Sequence, residues 1–349
     1  MKREEIIQLF SKLGSILESV SEEKPYSGYE TGLSQEEYES LVSLVNSVHV
    51  YNPWFTPLFV KKSMYGISTW LNEVELTKWL ANYSFTNKPK RVGLIMAGNI
   101  PLVGFHDFLS VIMSGNIAVC KFSSNDNKLW PALIRLLQTI DNRFEALCEI
   151  SEHKLGEIDA IIATGSDNSA RYFEYYFSKY PHIIRKNRTS VAFLTGEETD
   201  DELEKLADDI FMYFGLGCRN ISQLLVPKDF DIDRFFKGIY KYNEVVMNHH
   251  KYINNYDYNK AIYLLNREDV LENGFALVRY TNDLNSPLSV INCHRYETIE
   301  EASQLLLANR DKIQVIVGKG YTPFGASQTP ALIDYADNID TMAFLNGLR

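Results

Sequence analysis

The sequence lacks any apolar run long enough to cross a bilayer. Its least polar stretch, VGLIMAGNIPLVGF at 92–105, is broken by Gly, Asn and Pro and falls well short of the roughly 20 residues a spanning helix needs. It also lacks a basic excess. The formal net charge is −10 and the Lys and Arg residues are scattered, which argues against a nucleic-acid partner. The short basic run KPKR at 88–91 reads as a solvated turn before a strand. Cysteine is scarce: Cys120, Cys148, Cys218 and Cys293 lie far apart, with no CxxC and no Cys/His ligand spacing. Neither a disulfide framework nor a zinc site is indicated, and a reducing cytoplasm is the expected location. The start, MKREEIIQLFSKLGSILESV, mixes both signs of charge with apolar residues at helical spacing and lacks a signal peptide's continuous apolar core. Neither an internal repeat nor a low-complexity tract is found.

What is present is globular. At 349 residues, 45% hydrophobic and 23% charged, the chain is too apolar for wholesale disorder and long enough to form two lobes with a cleft. Residues 1–85 read as helical, with a capping box at Ser34 and Glu37 and an aromatic, Pro-containing interruption, YNPWFTPLFV. From KRVGLIM onward, short buried-strand runs alternate with helical ones: HDFLSVIMSG, NIAVCKF, LWPALIRLLQTI, EIDAIIATG and ARYFEYYFSKY. Such alternation predicts an α/β fold with a parallel sheet. TDDELEKLADDIFMYF follows as an amphipathic helix, then the strand QLLVP, a helix from Ile232, a Tyr- and Asn-rich loop at 251–260, strands at GFALVRY and LSVINC, the helix TIEEASQLLLA and the strand IQVIVG. A second α/β lobe accounts for them.

Four stretches carry residues suited to chemistry. Gly98-Asn99-Ile100-Pro101 leaves a strand at its carboxyl end, where parallel sheets bind ligands. Asn99 there can aim its amide at a developing oxyanion, or the turn serves backbone shape alone. CKFSSND at 120–126 puts Lys121, Ser123 and Ser124 at the end of the next strand, suited to a ribose or phosphate, or to a surface lysine before a helix cap. ATGSDNSA at 163–170 ends a strand in Gly165-Ser166 before a helix whose N–H groups can hold a phosphate. In GLGC, the glycines free the backbone to expose the Cys218 thiol and its own N–H together, although most cysteines only fill space. His249 and His250 are neighbours that point apart on a helix, so they read as a solvated helix end and not as metal ligands. His106, Trp130 and the tyrosines of RYFEYYF read as packing residues.

In order and spacing these pieces resemble the aldehyde dehydrogenase superfamily, and within it the fatty acyl-CoA reductase (LuxC-like) family. GLIMAGNIPL looks like the strand ending in that superfamily's oxyanion asparagine, SGNIAVCKFSS like the strand ending in its cofactor lysine, and ATGSDNSA like its phosphate turn. DDELEKLADDIFMYFGLGCRNISQLLVP matches the helix, catalytic cysteine and following strand, and DLNSPLSVINCHRYETIEEASQLL a later segment around a family proline. The resemblance covers about residues 90–330, and residues 1–85 are shorter than the family's usual N-terminal part.

The resemblance implies a Rossmann-type cofactor lobe, an α/β catalytic lobe and a helical N-terminal region. The expected division is a helical region at 1–88 packed on the cofactor lobe, a nucleotide-binding domain at 89–188, a catalytic domain at 189–330 and a C-terminal segment at 331–349. It also implies that Cys218 is the nucleophile of a thioacyl intermediate and that Asn99, with the Cys218 N–H, forms the oxyanion hole. Lys121, Ser123, Ser124, Gly165 and Ser166 would contact the cofactor. Asp283, four residues before Pro287, stands where the family often has a Glu that holds the nicotinamide ribose.

Two departures bear on the reaction. The hydrolytic relatives carry a water-activating Glu ahead of the strand that here reads IIRKNRTSVAFL, yet no acid lies between Glu174 and Glu197. Without that base, exchange with coenzyme A is favoured over hydrolysis. Three residues after Lys121, Ser124 replaces the Glu common in NAD-preferring members, which favours NADPH while still admitting NADH. The expected activity is thus NAD(P)H-dependent reduction of an acyl-CoA. The resemblance also implies a homo-oligomer, since the family usually forms dimers or tetramers. Oxidative aldehyde dehydrogenase activity or a non-catalytic binding role is the alternative.

Overall fold

In the computed structural model, residues 1–151 and 154–348 are described. The chain divides into two compact units, Met1–Lys186 with Ala331–Arg349, and Asn187–Pro330.

The first unit begins with four helices, α1 (Arg3–Ser21), α2 (Gln35–Ser47), α3 (Pro57–Trp70) and α4 (Glu73–Leu80). Ser34 and Glu37 form the expected capping box at the start of α2. The YNPWFTPLFV stretch interrupts the helices only briefly, because Pro57 occupies the first position of α3, where its missing N–H costs nothing. A sheet of β1 (Arg91–Ile95), β2 (Ile117–Lys121), β3 (Cys148–Ile150), β4 (Ala160–Thr164) and β5 (His182–Arg185) follows. Interleaved with it are α5 (Phe105–Met113), α6 (Leu129–Ile140) and α7 (Asp167–Phe177). All its pairings are parallel, in the order β3-β2-β1-β4-β5. The chain moves outward from β1 to β3 and then returns to β1's other side with β4, so the sheet has a switch point between β1 and β4, the place where open α/β sheets bind ligands.

A core of aromatic and aliphatic side chains, including Phe10, Phe108, Trp130 and Phe144, joins α1, α5 and α6 to the sheet. Trp130 is fully buried, and the His106 ring, packed against Trp70, Trp79 and Tyr335, makes a 2.8 Å hydrogen bond to the Leu332 carbonyl through Nε2. The tyrosines of RYFEYYF differ from expectation. Tyr172, Tyr175 and Tyr176 are exposed, and Phe173 and Phe177 make that helix's apolar contacts instead.

At the carboxyl end of β5, Arg185 reaches Asp107 of α5 through two hydrogen bonds of 2.7 and 3.1 Å. It also donates to the Ala336 carbonyl and to Thr341 Oγ1, at the start of α13 (Thr341–Asn346). Burial alone would push the Asp107 carboxyl up, yet Arg185 holds it below its usual range.

The second unit holds β6 (Thr189–Phe193), α8 (Asp200–Phe211), β7 (Ile221–Pro227), α9 (Ile232–Gly238), α10 (Asn243–Met247) and α11 (His250–Leu265). The strands β8 (Val270–Glu272), β9 (Leu277–Tyr280) and β10 (Val290–Tyr296), the helix α12 (Ile299–Ala308) and β11 (Ile313–Gly318) complete it. Its sheet runs β11-β6-β7-β10-β9-β8, parallel except for the β8/β9 pair.

Three expectations are corrected here. The stretch 251–260 is helical, not loop. Tyr252, Tyr256, Asn259 and Tyr263 recur at helical spacing on its buried side, and Tyr252 and Asn259 donate to the carbonyls of Phe275 and Leu288. Tertiary contacts thus override the low helix propensity of Tyr and Asn. His249 is buried, caps α11 by accepting the Tyr252 N–H, and stacks 4.1 Å from the Phe214 ring. The helix α8 ends at Phe211 rather than running through MYF, because Tyr213 and Phe214 take left-handed conformations, with φ of 55° and 58°.

Candidate active site

In the first unit, six of the sequence candidates gather at the carboxyl ends of β2, β1 and β4. Ile95 of β1 is in register with Lys121 of β2 and Ala163 of β4, so the turns bearing Asn99, Lys121 and Gly165 leave the sheet side by side. Gly98 shows how closely two of these turns approach. A Cβ there would lie 2.7 Å from the Ser123 side chain and 3.0 Å from that of Asn125. Only glycine fits. Gly165 serves the same purpose for the next turn, since a Cβ would meet Ser169 at 2.8 Å and Phe173 at 2.9 Å. It allows α7 to begin directly after β4.

Ser166 caps α7 by accepting the Ser169 N–H, and Ser123 caps the short turn after β2 by accepting the Asn125 N–H. Their hydroxyls therefore shape the turns, leaving helix N-terminal N–H groups of α7 as the natural phosphate partners. Asn99 and Ser124 are exposed, and Lys121 is half-buried. A strand-end lysine, hydroxyl-capped turns, a glycine cradle and a helix N-terminus at a switch point suit a dinucleotide.

In the second unit, Cys218 is the exposed cysteine, whereas Cys120, Cys148 and Cys293 are buried. Burial pushes the Cys120 thiol well above its usual range and the Cys293 thiol up to about 12. Such thiols are inert. Cys218 sits between α8 and β7, in a turn held from both sides. Ser190 of β6, fully buried, donates to the Cys218 carbonyl at 2.9 Å and accepts the Val315 N–H at 3.1 Å.

Asn220, buried next to it, donates to the carbonyls of Asp209, Ile210 and Met212 and accepts the Gly217 N–H at 2.8 Å. One amide thus satisfies the frayed carbonyl end of α8 and fixes the residue directly before Cys218. Asp209, fully buried in α8, accepts the N–H groups of Gly325 and Ser327.

Asp283 lies in the loop before β10. Its side chain is mostly exposed and accepts from Thr281 at 3.2 Å, with Arg279 at 3.5 Å. Its carbonyl is the better-held part, receiving amides from Gln223 and Asn292 at 3.0 and 2.8 Å. The continuation of this loop and the segments flanking the Cys218 turn share a cavity of about 230 Å³, lined by Phe214, Leu216, Ile221, Pro287 and Leu288 among others, with Cys218 itself outside the lining. Sequence reading missed Ser190, Asn220 and Asp126. Each is paired with backbone groups, far away in sequence for Ser190 and Asp126 and on the preceding helix end for Asn220, and such pairing shows only in three dimensions. Among the described residues, no cluster of three or more His, Cys, Asp or Glu could hold a metal, and no helix is long and apolar enough to cross a membrane.

Two α/β units, with closely packed strand-end turns in one and an exposed cysteine before a strand in the other, are the parts of the aldehyde-dehydrogenase fold. Solved structures of that fold are similar to this chain. An indole-3-acetaldehyde dehydrogenase complexed with NAD+ aligns over 91% of this chain and 72% of its own, at 13% identity and a TM-score of 0.58. The Mycobacterium tuberculosis aldehyde dehydrogenase complexed with NAD+ aligns over 85% and 70%, at 14% identity and 0.58. HpcC from Thermus thermophilus aligns over 91% and 70%, at 11% identity and 0.60. Comparison with curated proteins gave no match. The sequence matches the acyl-CoA reductase (LuxC) family over residues 4–235, and the chain belongs to that family. The match begins at residue 4 and not near 90, so the N-terminal helices are part of the family's own pattern.

Proposed function

We propose that the chain reduces an acyl-CoA thioester to an aldehyde, using NADPH in preference to NADH. The observation that carries this reading is the exposed Cys218, its carbonyl held by Ser190 and its approach by Asn220, while the other three cysteines are buried. The Cys218 thiolate attacks the thioester carbonyl carbon, the bond to coenzyme A breaks, and the acyl group passes to the Cys218 sulfur. Asn99 and the Cys218 N–H would stabilise the charge that develops on the carbonyl oxygen. When bound, the nicotinamide supplies the hydride that reduces the thioacyl carbon. Collapse of the resulting thiohemiacetal releases the aldehyde and returns the Cys218 thiolate.

Lys121, Ser123, Ser124, Gly165 and Ser166 would line the cofactor's ribose and phosphates, and Asp283 would stand near the nicotinamide ribose. The Asp283 carboxyl is shared with Thr281 and Arg279, so its loop, held by Gln223 and Asn292, is the firmer element. Ser124 presents no carboxylate to repel a 2′-phosphate, which supports the preference for NADPH.

Mass spectrometry of the protein mixed with acyl-CoA and no cofactor should find an acyl adduct on Cys218. Persistence of that adduct in Cys218→Ala would overturn the assignment.

A further inference from the structure

Asp126 is a buried carboxyl that the proposed chemistry does not use. It lies at the end of the turn after β2, 2% exposed. Its Oδ2 accepts the Leu102 N–H at 2.9 Å, and the Leu129 N–H at the start of α6 also favours its charged form. Its Oδ1 has no hydrogen-bond partner among the described residues. Burying a carboxyl in this way is costly, so the position calls for a role beyond filling space.

Its one distant partner is informative. Leu102 is in the Asn99 turn and adopts a left-handed conformation, φ 56°, which a branched side chain takes only when its surroundings impose it. The same turn is held from outside by Ser63, which donates to the Pro101 carbonyl at 2.8 Å. On the other side, Asn52 donates to the Asn125 carbonyl at 3.0 Å, and the Asp126 N–H closes a turn onto Ser123. Asp126 therefore stands between two turns that already touch at Gly98 and Ser123. Its bond to the Leu102 N–H crosses from one turn to the other.

We infer that Asp126 is a positioning residue for Asn99. By holding the Leu102 N–H, it fixes the turn that carries the Asn99 amide against the turn that carries Lys121. This rests on the proposed role of Asn99 at the thioester carbonyl. The alternative is that Asp126 only starts α6, and the two make different predictions. A residue acting through Asn99 should lose its effect when Asn99 is gone.

The test compares wild type, Asp126→Ala, Asp126→Asn, Asn99→Ala and the double variant Asp126→Ala/Asn99→Ala. Two readouts are used: kcat for acyl-CoA reduction, and amide hydrogen exchange of the segment 97–104. Asp126→Ala should lower kcat about tenfold, with NADPH affinity held within about threefold, and should speed exchange in 97–104. Asp126→Asn, which keeps an acceptor for the Leu102 N–H, should recover most of both losses. The double variant should be no slower than Asn99→Ala alone.

Multiplicative losses in the double variant, or unchanged exchange in Asp126→Ala, overturn the inference. Should wild type reduce no acyl-CoA, the proposed function fails, and the exchange comparison still decides whether Asp126 holds the turn.

Discussion

Asn220 Oδ1 accepts the Gly217 N–H at 2.8 Å, so the residue two positions after Cys218 fixes the residue directly before it. The same amide donates to three carbonyls at the end of α8. Replacing it with Asp keeps the acceptor and removes the three donated bonds, whereas Ala removes all four. Both should slow acylation of Cys218, Ala more than Asp. Each buried group left unsatisfied should also cost about 1–3 kcal/mol of stability. Adduct formation followed by mass spectrometry, with urea unfolding alongside, separates the two effects. Unchanged acylation in Asn220→Ala would show that the clamp does not serve the thiol.

The absence of an acid between Glu174 and Glu197 has a direct kinetic consequence. With aldehyde and NADP+, steady turnover should require coenzyme A to remove the acyl group from Cys218, and hydrolysis should be slower by at least about 10²-fold, the typical contribution of a general base. Turnover to free acid without coenzyme A, at a similar rate, would instead place this chain among oxidative dehydrogenases.

Ser124 sits in the turn after β2, exposed. Ser124→Glu should raise the KM for NADPH about tenfold or more while leaving NADH nearly unaffected, because the new carboxylate repels only the 2′-phosphate. The effect should shrink at high ionic strength. Equal losses with both cofactors would mean that position 124 does not face the ribose.

Much of this organisation was legible in the sequence, and the exceptions share a cause. The strand ends carrying Asn99, Lys121 and Gly165 could be found because each has a local pattern of apolar run, small residue and helix start. Cys218 stood out by its glycines. The helix α11 did not, because its buried stripe is made of Tyr252, Tyr256, Asn259 and Tyr263, residues whose composition suggests a loop and whose helicity comes from contacts with the strands around β10. The short strands β3 and β8 carry three residues each, too few for periodicity to register. Ser190, Asn220 and Asp126 were out of reach for another reason. Their partners are backbone groups, and a backbone group has no signature in sequence.

The Arg185–Asp107 pair joins β5, α5 and the C-terminal segment inside the first unit. Arg185→Met keeps much of the volume but leaves the Asp107 carboxylate buried without its cation. That should cost about 3–5 kcal/mol. The double change Arg185→Met/Asp107→Leu should recover the part of it that the Asp107 charge causes, and the remainder measures Asp337, whose carboxylate lies 3.9 Å from Arg185 and loses its cation in both variants. Chemical denaturation of the single and double variants checks both values.

Asp126 gives stability a pH dependence of defined sign. Burial raises its carboxyl from the ordinary 3.8 to about 7 in the folded protein, while the unfolded chain keeps the ordinary value. Between those limits the folded state binds more protons than the unfolded one, so this residue's contribution is fully present below about pH 4 and is lost as pH rises through about 7. The full loss should be on the order of 4 kcal/mol, roughly 3 of it above about pH 5. Asp126→Asn cannot ionise and should not show it. The stability of wild type minus that of Asp126→Asn, measured by urea unfolding from about pH 5 to about pH 8.5, should therefore fall steadily and level off above about pH 8. Titrating groups common to both proteins cancel in the difference. A flat difference across that range would mean that the Asp126 carboxyl is already charged in the folded protein at the acid end, and that the Leu102 and Leu129 N–H groups outweigh its burial.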